Sequence, residues 1–222
     1  MSTYLNKPQD KLNIIALHLG SGASACCIKN GKSYDTSMGL TPLSGLPGAT
    51  RSGSIDPSLM FHFTHEATKP SHSAAGHMHI TQAEEILNKK SGWKVLTDTT
   101  DFGQISSSDR EEDVLAFNIF VDRIVNYVAP YFVKLDGNVD ALVFAGGIGE
   151  KGVKLREKVV EGVKCLGVEL DGGKNAEPGD EGVVTDVSKE GARFKTLIVQ
   201  TDEQLEMARG IVEDRGRFVG KS

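Results

Sequence analysis

The sequence predicts an α/β fold in which helices flank a mixed sheet. Three observations carry that expectation. Residues 13–38 read as consecutive hairpin strands, strand and helix patterns alternate through the second half, and "VDALVFAGG" at 139–147 reads as a strand covered on both faces. With 222 residues the chain is long enough for one large domain or two small ones.

In chain order, "NIIALHLG" at 13–20 is a buried strand followed by a glycine turn, "GSG". Two further strands flank Asn30-Gly31, a pair suited to a type I' turn. Residues 39–58 are rich in Gly, Pro, Ser and Thr and read as a long loop of the kind that carries function. Helices are expected over 58–68 and 81–92, the second opened by a capping box of Thr81 and Glu84. A polar loop over 97–113 ends in a Ser-Asp cap for the longest helix, 113–135, which Pro130 should end or kink. After the strand at 139–145, a helix spans 153–165. "GVELD", "GVVTDVS" and "FKTLIVQT" are strand candidates, and a helix over 202–214 closes the chain with Thr201 as its N-cap.

Composition narrows the classes of function. A net charge of -5 and a pI near 5.7 provide no positive field for nucleic acid or an anionic membrane. No apolar run is long enough to span a bilayer and no signal-peptide core is visible, so a cytoplasmic protein is expected. Cys26, Cys27 and Cys165 form no C-x-x-C pair and suit buried, reduced thiols.

"GGIGEKG" at 146–152 raises the first chemical question. Gly147, Gly149 and Gly152 fall on G-x-G-x-x-G spacing, and Glu169 and Asp171 lie where a dinucleotide fold places an acid for the ribose. An NAD(P)-dependent dehydrogenase is one reading. The same strand, turn and helix serve other phosphate ligands, because glycine lets backbone N–H groups approach an anion. "HLGSGAS" at 18–24 is a second such turn, and two of them suggest a clamp along a polyphosphate. Between them Arg51 stands in a loop of small residues, where a guanidinium suits a transferring phosphoryl group, or else pairs with Asp56. "NGKS" at 30–33 ends like a P-loop, but Cys26 sits where the first glycine belongs. Five of six histidines lie between 62 and 79; neither His62-x-x-His65 nor His77-x-His79 matches a standard metal site.

Taken together and in order, the stretch from "NIIALHLGSGAS" to "TRSGSIDP", then "TDFG", "ALVFAGGIGE" and "TDEQLEMAR", closely resembles the acetate kinase family, in particular its fungal and eukaryotic members. The resemblance runs from about Tyr4 to the end. It implies the actin/Hsp70/sugar-kinase-like fold and makes the dinucleotide spacing coincidental. It implies reversible transfer of the γ-phosphoryl of ATP to acetate, giving acetyl phosphate and ADP, with Mg2+.

By the same resemblance, His18, Gly20, Ser21 and Gly22 lie by the ATP phosphates, with Ser21 standing where many members have asparagine. Arg51 matches the arginine aimed at the phosphoryl group in flight. Asp101, Phe102 and Gly103 match the loop that holds the adenosine, although many bacterial members have arginine at the place of Gly103. Gly146, Gly147, Ile148, Gly149 and Lys151 match the nucleotide turn, with Lys151 replacing a common asparagine. Glu203 matches a carboxylate associated with magnesium.

The chain is identified as the C-terminal, nucleotide-binding half of such a protein: residues 1–203 form the nucleotide domain and 204–222 a helix that in the family packs on an N-terminal domain not found in this sequence. That domain would supply the acetate pocket and further catalytic groups. A homodimer is implied as well, and a non-catalytic dimerisation module is the remaining alternative. The apolar face of the last helix, Leu205, Met207, Ala208, Ile211 and Val212, is expected to be exposed or recruited into a new contact.

Overall fold

A computed structural model describes residues 1–59, 69–70, 81–179 and 182–213. After the short helix α1 (Ser2–Leu5) and a 3-10 turn, β1 (Ile14–Leu19), β2 (Ala23–Lys29) and β3 (Lys32–Thr36) run as the expected antiparallel hairpins. Asn30 (φ 53°) and Gly31 (φ 71°) both adopt positive φ, as a type I' turn requires. Helices α2 (Gln82–Lys89), α3 (Trp93–Thr97), α4 (Phe102–Ser107) and α5 (Glu111–Lys134) follow. Then come β4 (Ala141–Ala145), α6 (Gly146–Lys151), α7 (Val153–Val163) and α8 (Gly172–Ala176). The last described elements are β5 (Val184–Asp186), β6 (Lys195–Val199) and α9 (Glu203–Glu213).

The six described strands form one mixed sheet in the order β3-β2-β1-β4-β6-β5. β1, β4 and β6 are mutually parallel, while β2, β3 and β5 run antiparallel to their neighbours. Alternation along β1 sends Ile15, Leu17 and Leu19 into the main core, where α5 and α7 cover the sheet. Ile14, Ala141, Val143 and Leu197 face the other side, packed by Met1 and Leu5 of the α1 segment. All five residues of β4 are buried, as its unbroken apolar run requires.

Several local expectations are corrected. α5 runs through Pro130 to Lys134; Pro130 and Asn126, whose hydrogen bond it forfeits, are both exposed to water, which can satisfy the freed group. No side chain caps α5. Ser108 Oγ instead donates to Asp113 Oδ2 at 2.6 Å, and three acids in the first turn complement the helix dipole. The capping box of α2 forms, but Gly92 at φ 72° separates α2 from α3. "GVELD" is not a strand: Asp171 accepts from Lys174 N at 3.0 Å and caps α8, leaving Leu170 one bridge to Ser188. Asp202, not Thr201, caps α9 by accepting from Leu205 N at 2.8 Å. Of the cysteines only Cys27 is buried, which pushes its thiol pKa up; Cys165 is exposed. The helix expected over 58–68 and the histidine-rich segment fall largely outside the described residues. No described helix is long and apolar enough to cross a membrane.

An aromatic cluster fixes α4. The Phe102 ring lies 5.2 Å from Trp93 and 5.0 Å from Phe120, edge to face. Phe120→Ala removes the shared partner of both rings and is expected to cost about 3–5 kcal/mol. Urea unfolding followed by the single tryptophan, Trp93, checks it; a midpoint near the native value would contradict this packing.

Candidate functional site

The two glycine turns meet because their strands do. β1 and β4 lie side by side, His18 opposite Ala145, so "HLGSG" and "GGIGE" leave the sheet at the same edge. Gly146 sits at φ 74°, and a Cβ there would lie 2.7 Å from Leu19 O. Gly149 is buried against Phe144 and Leu19. These contacts explain two of the turn's glycines by packing alone. Gly147 differs: it is exposed, and nothing lies within 4 Å of the place its Cβ would take.

Gly147 opens onto a cleft of about 390 Å³. One wall is Gly20 and Ser21; the second is Gly147, Ile148, Lys151 and Gly152 of the α6 turn. The third is the α4 loop, with Thr100, Asp101, Phe102, Gly103 and Ser106. Eight residues that the family resemblance assigns to the nucleotide site thus share one cavity although they come from three distant segments. The Asp101 side chain is already engaged, accepting from Gly103 N at 2.8 Å to cap α4. The Phe102 ring is turned into the core, so this residue anchors the wall rather than offering a stacking surface. Thr100 and Ser106 were not anticipated, and Gly152 was singled out only for the dinucleotide spacing.

Arg51 lies beside this cleft, over the first turn. A Cβ on Gly22 would fall 1.9 Å from Arg51 Nη2, so the guanidinium occupies the space that glycine leaves. Its loop is pinned from several sides: Ala49 N donates to Ser21 O (2.8 Å), Ser52 N to Leu87 O (2.9 Å) and Trp93 N to Gly48 O (3.2 Å). The alternative pairing with Asp56 does not form. Asp56 accepts from Ser58 N at 2.8 Å, a bond that lowers its carboxyl pKa. His18 is half-buried in β1 and does not line the cleft. Glu203 is exposed at the first turn of α9, and no group of three or more potential metal ligands exists among the described residues. A separate, mainly apolar cavity of about 330 Å³ between α3 and α5 contains Lys90 and none of the predicted site residues.

Residues 1–209 match the acetokinase family. The chain belongs to that family. A probable acetate kinase of Emericella nidulans is 58% identical over 221 residues, covering 97% of this chain and 53% of the relative. Acetate kinase 1 of Aliivibrio fischeri is 41% identical, covering 97% of this chain and 52% of the relative. Among solved structures, Porphyromonas gingivalis acetate kinase superposes with a TM-score of 0.81 at 34% identity, over 96% of this chain and 51% of that one. A Francisella tularensis propionate kinase gives 0.80 at 32% identity, over 94% and 50%. The fold is therefore the actin/Hsp70/sugar-kinase-like one. The chain spans about half the length of the curated relatives it matches.

Family membership agrees with the fate of the dinucleotide pattern. Gly152 ends α6 instead of lying inside the first turn of a long helix. Asp171 is spent on the α8 cap and Glu169 pairs with Lys189 at 3.0 Å, so neither acid reaches the cleft.

The acetokinase turn yields a contrast in stability. Gly146→Ala forces a side chain into positive φ and onto Leu19 O, at an expected cost of about 1–3 kcal/mol. Gly147→Ala adds a methyl in open helical space and is expected to stabilise by about 0.5–1 kcal/mol. Urea midpoints of the two variants measure the difference; equal losses would contradict the described turn.

Proposed function

We propose that this chain is the nucleotide-binding half of an acetate kinase, which moves the γ-phosphoryl of ATP to acetate and back, giving acetyl phosphate and ADP. The observation that carries the reading is the meeting of both glycine turns and the α4 loop around one cleft, with Arg51 laid over Gly22.

In this reading the bare backbone at Gly147 and the Gly20–Ser21 turn admit the nucleotide closely, and Ile148 packs on it. Asp101 holds the opposite wall through its cap rather than by touching the ligand. Arg51 neutralises charge on the phosphoryl group as it moves; such transfer depends on positioning and charge more than on covalent chemistry. Magnesium suits the residues present only as an ion carried by the nucleotide, since it takes one or two carboxylates plus phosphate oxygens. Glu203 is an exposed carboxylate of that kind. Bound there, the ion would offset the charge of the phosphates.

The acetate pocket, a homodimer and a cytoplasmic location belong to the same proposal. So does the division at 203/204. It is supported by α9, whose Leu205, Met207, Ile211 and Val212 are 55%, 62%, 58% and 60% exposed and await a covering surface. With acceptor groups supplied from elsewhere, the chain by itself binds nucleotide and transfers phosphate poorly.

Calorimetry with MgADP, next to acetyl-hydroxamate formation from acetate, MgATP and hydroxylamine, tests the reading. MgADP is expected to bind, and Gly147→Ala to weaken binding about tenfold without loss of stability. Any hydroxamate formed is expected to fall about 100-fold or more in Arg51→Ala. Absence of MgADP binding together with enhanced NADH fluorescence would replace this reading with a dehydrogenase.

A further inference from the structure

Arg156, in the first turn of α7, is completely buried, and its four side-chain hydrogen bonds all end on neutral oxygens. Nε donates to Asn175 Oδ1 at 2.6 Å and Nη2 to Asn175 O at 3.1 Å. Nη1 donates to the carbonyls of Gly149 and Glu150, each at 2.8 Å. Burial pulls its pKa down to about 10, a shift that Glu157 partly opposes, so the guanidinium stays charged at neutral pH. Burying a cation this way is costly, and an apolar side chain would fill the space without that cost.

The need lies in α6. The helix has six residues, three of them glycine, and so short a helix with so poor a composition does not hold by itself. Its last carbonyls would be orphans. Gly152 N takes Ile148 O at 2.8 Å, and Arg156 takes the next two. A cation at the C-terminal end of a helix also meets the favourable end of its dipole.

The grip extends both ways from there. Asn175, itself fully buried in α8, holds the guanidinium and donates to Val153 O and Glu157 Oε1, both at 3.2 Å. On the other side Glu150 Oε1 accepts from Thr201 N and Oγ1, both at 3.3 Å, two residues before Glu203.

We propose that Arg156 is a positioning residue for the cleft: by fixing the C-terminal end of α6 to α7 and α8, it sets where Gly147, Ile148 and Lys151 stand. Its side chain bonds to none of the three. The proposal rests on the reading of this cleft as a nucleotide site.

The test compares the native chain with Arg156→Lys and Asn175→Ala, at a temperature where melting curves show each fully folded. Lysine keeps the charge but lacks the planar fork that bridges two carbonyls and Asn175. Amide hydrogen exchange without ligand is expected to accelerate about tenfold at 149–153 in Arg156→Lys, with β1 and β4 unchanged. The MgADP dissociation constant is expected to rise about tenfold. Asn175→Ala leaves the two α6 bonds intact and should shift both readouts less, in the same direction. Native affinity and native exchange in a folded lysine variant would overturn the proposal. So would a lower melting temperature with neither readout changed, since that describes stability alone. If Arg156→Lys does not fold, the same two readouts on Asn175→Ala decide. If the native chain binds no MgADP, the nucleotide reading fails separately. Exchange then decides: acceleration confined to α6 upholds the clamp, and unchanged exchange overturns it.

Discussion

The parallel pairing of β1 with β4 is the constraint from which the site follows. Two parallel strands in register end at one edge of a sheet, so whatever follows each of them must share that edge. Here the segments that follow are both glycine-rich, and they can approach because Gly146 carries no side chain where Leu19 O already stands. Were β1 and β4 antiparallel, the same two turns would lie at opposite ends of the strands, too far apart to bound one cleft.

The third wall depends on a different force. The α4 loop makes no backbone–backbone hydrogen bond to the sheet edge; Lys154 Nζ of α7 donates to Ser106 O at 2.9 Å, and Phe102 anchors the loop by placing its ring among Trp93, Phe117 and Phe120. α5 is thereby both the main cover of the sheet and the anchor of the loop across the cleft. Burial of that aromatic cluster and the position of Gly103 are one event, so loosening the core at Phe120 also moves the wall.

Much of this was legible in the sequence, for identifiable reasons. Hairpin strands, the type I' turn at Asn30-Gly31 and the buried β4 each have a short-range signature, and the order of motifs announced the family. What sequence reasoning missed is of another kind. Pro130 reads as a helix end or kink, yet α5 continues past it to Lys134, because tertiary packing of Phe120, Ile124, Val128 and Tyr131 outweighs one lost hydrogen bond on an exposed face. "GVELD" has strand composition, but Asp171 is better used as a cap for α8. Asp101 and Phe102 were singled out through the family resemblance; that the first would be spent on a local cap with Gly103 and the second on a core contact with Trp93, Phe117 and Phe120 depended on the fold.

The two arginines near the glycine turns mark the same limit. Arg51 is conspicuous because its neighbours are small and polar, and a charge among such residues has to face water or a ligand. Arg156 hides in "VKLREKVVEG", an ordinary amphipathic pattern in which an arginine would normally lie on the solvent face. Its phase along α7 places it with Leu155, Val159 and Val160 on the buried side, which is anomalous only once the core is known. A glycine-rich helix that can admit a ligand closely cannot also hold itself together. The cation that supports it therefore has to come from a neighbouring element and be buried where the helix ends.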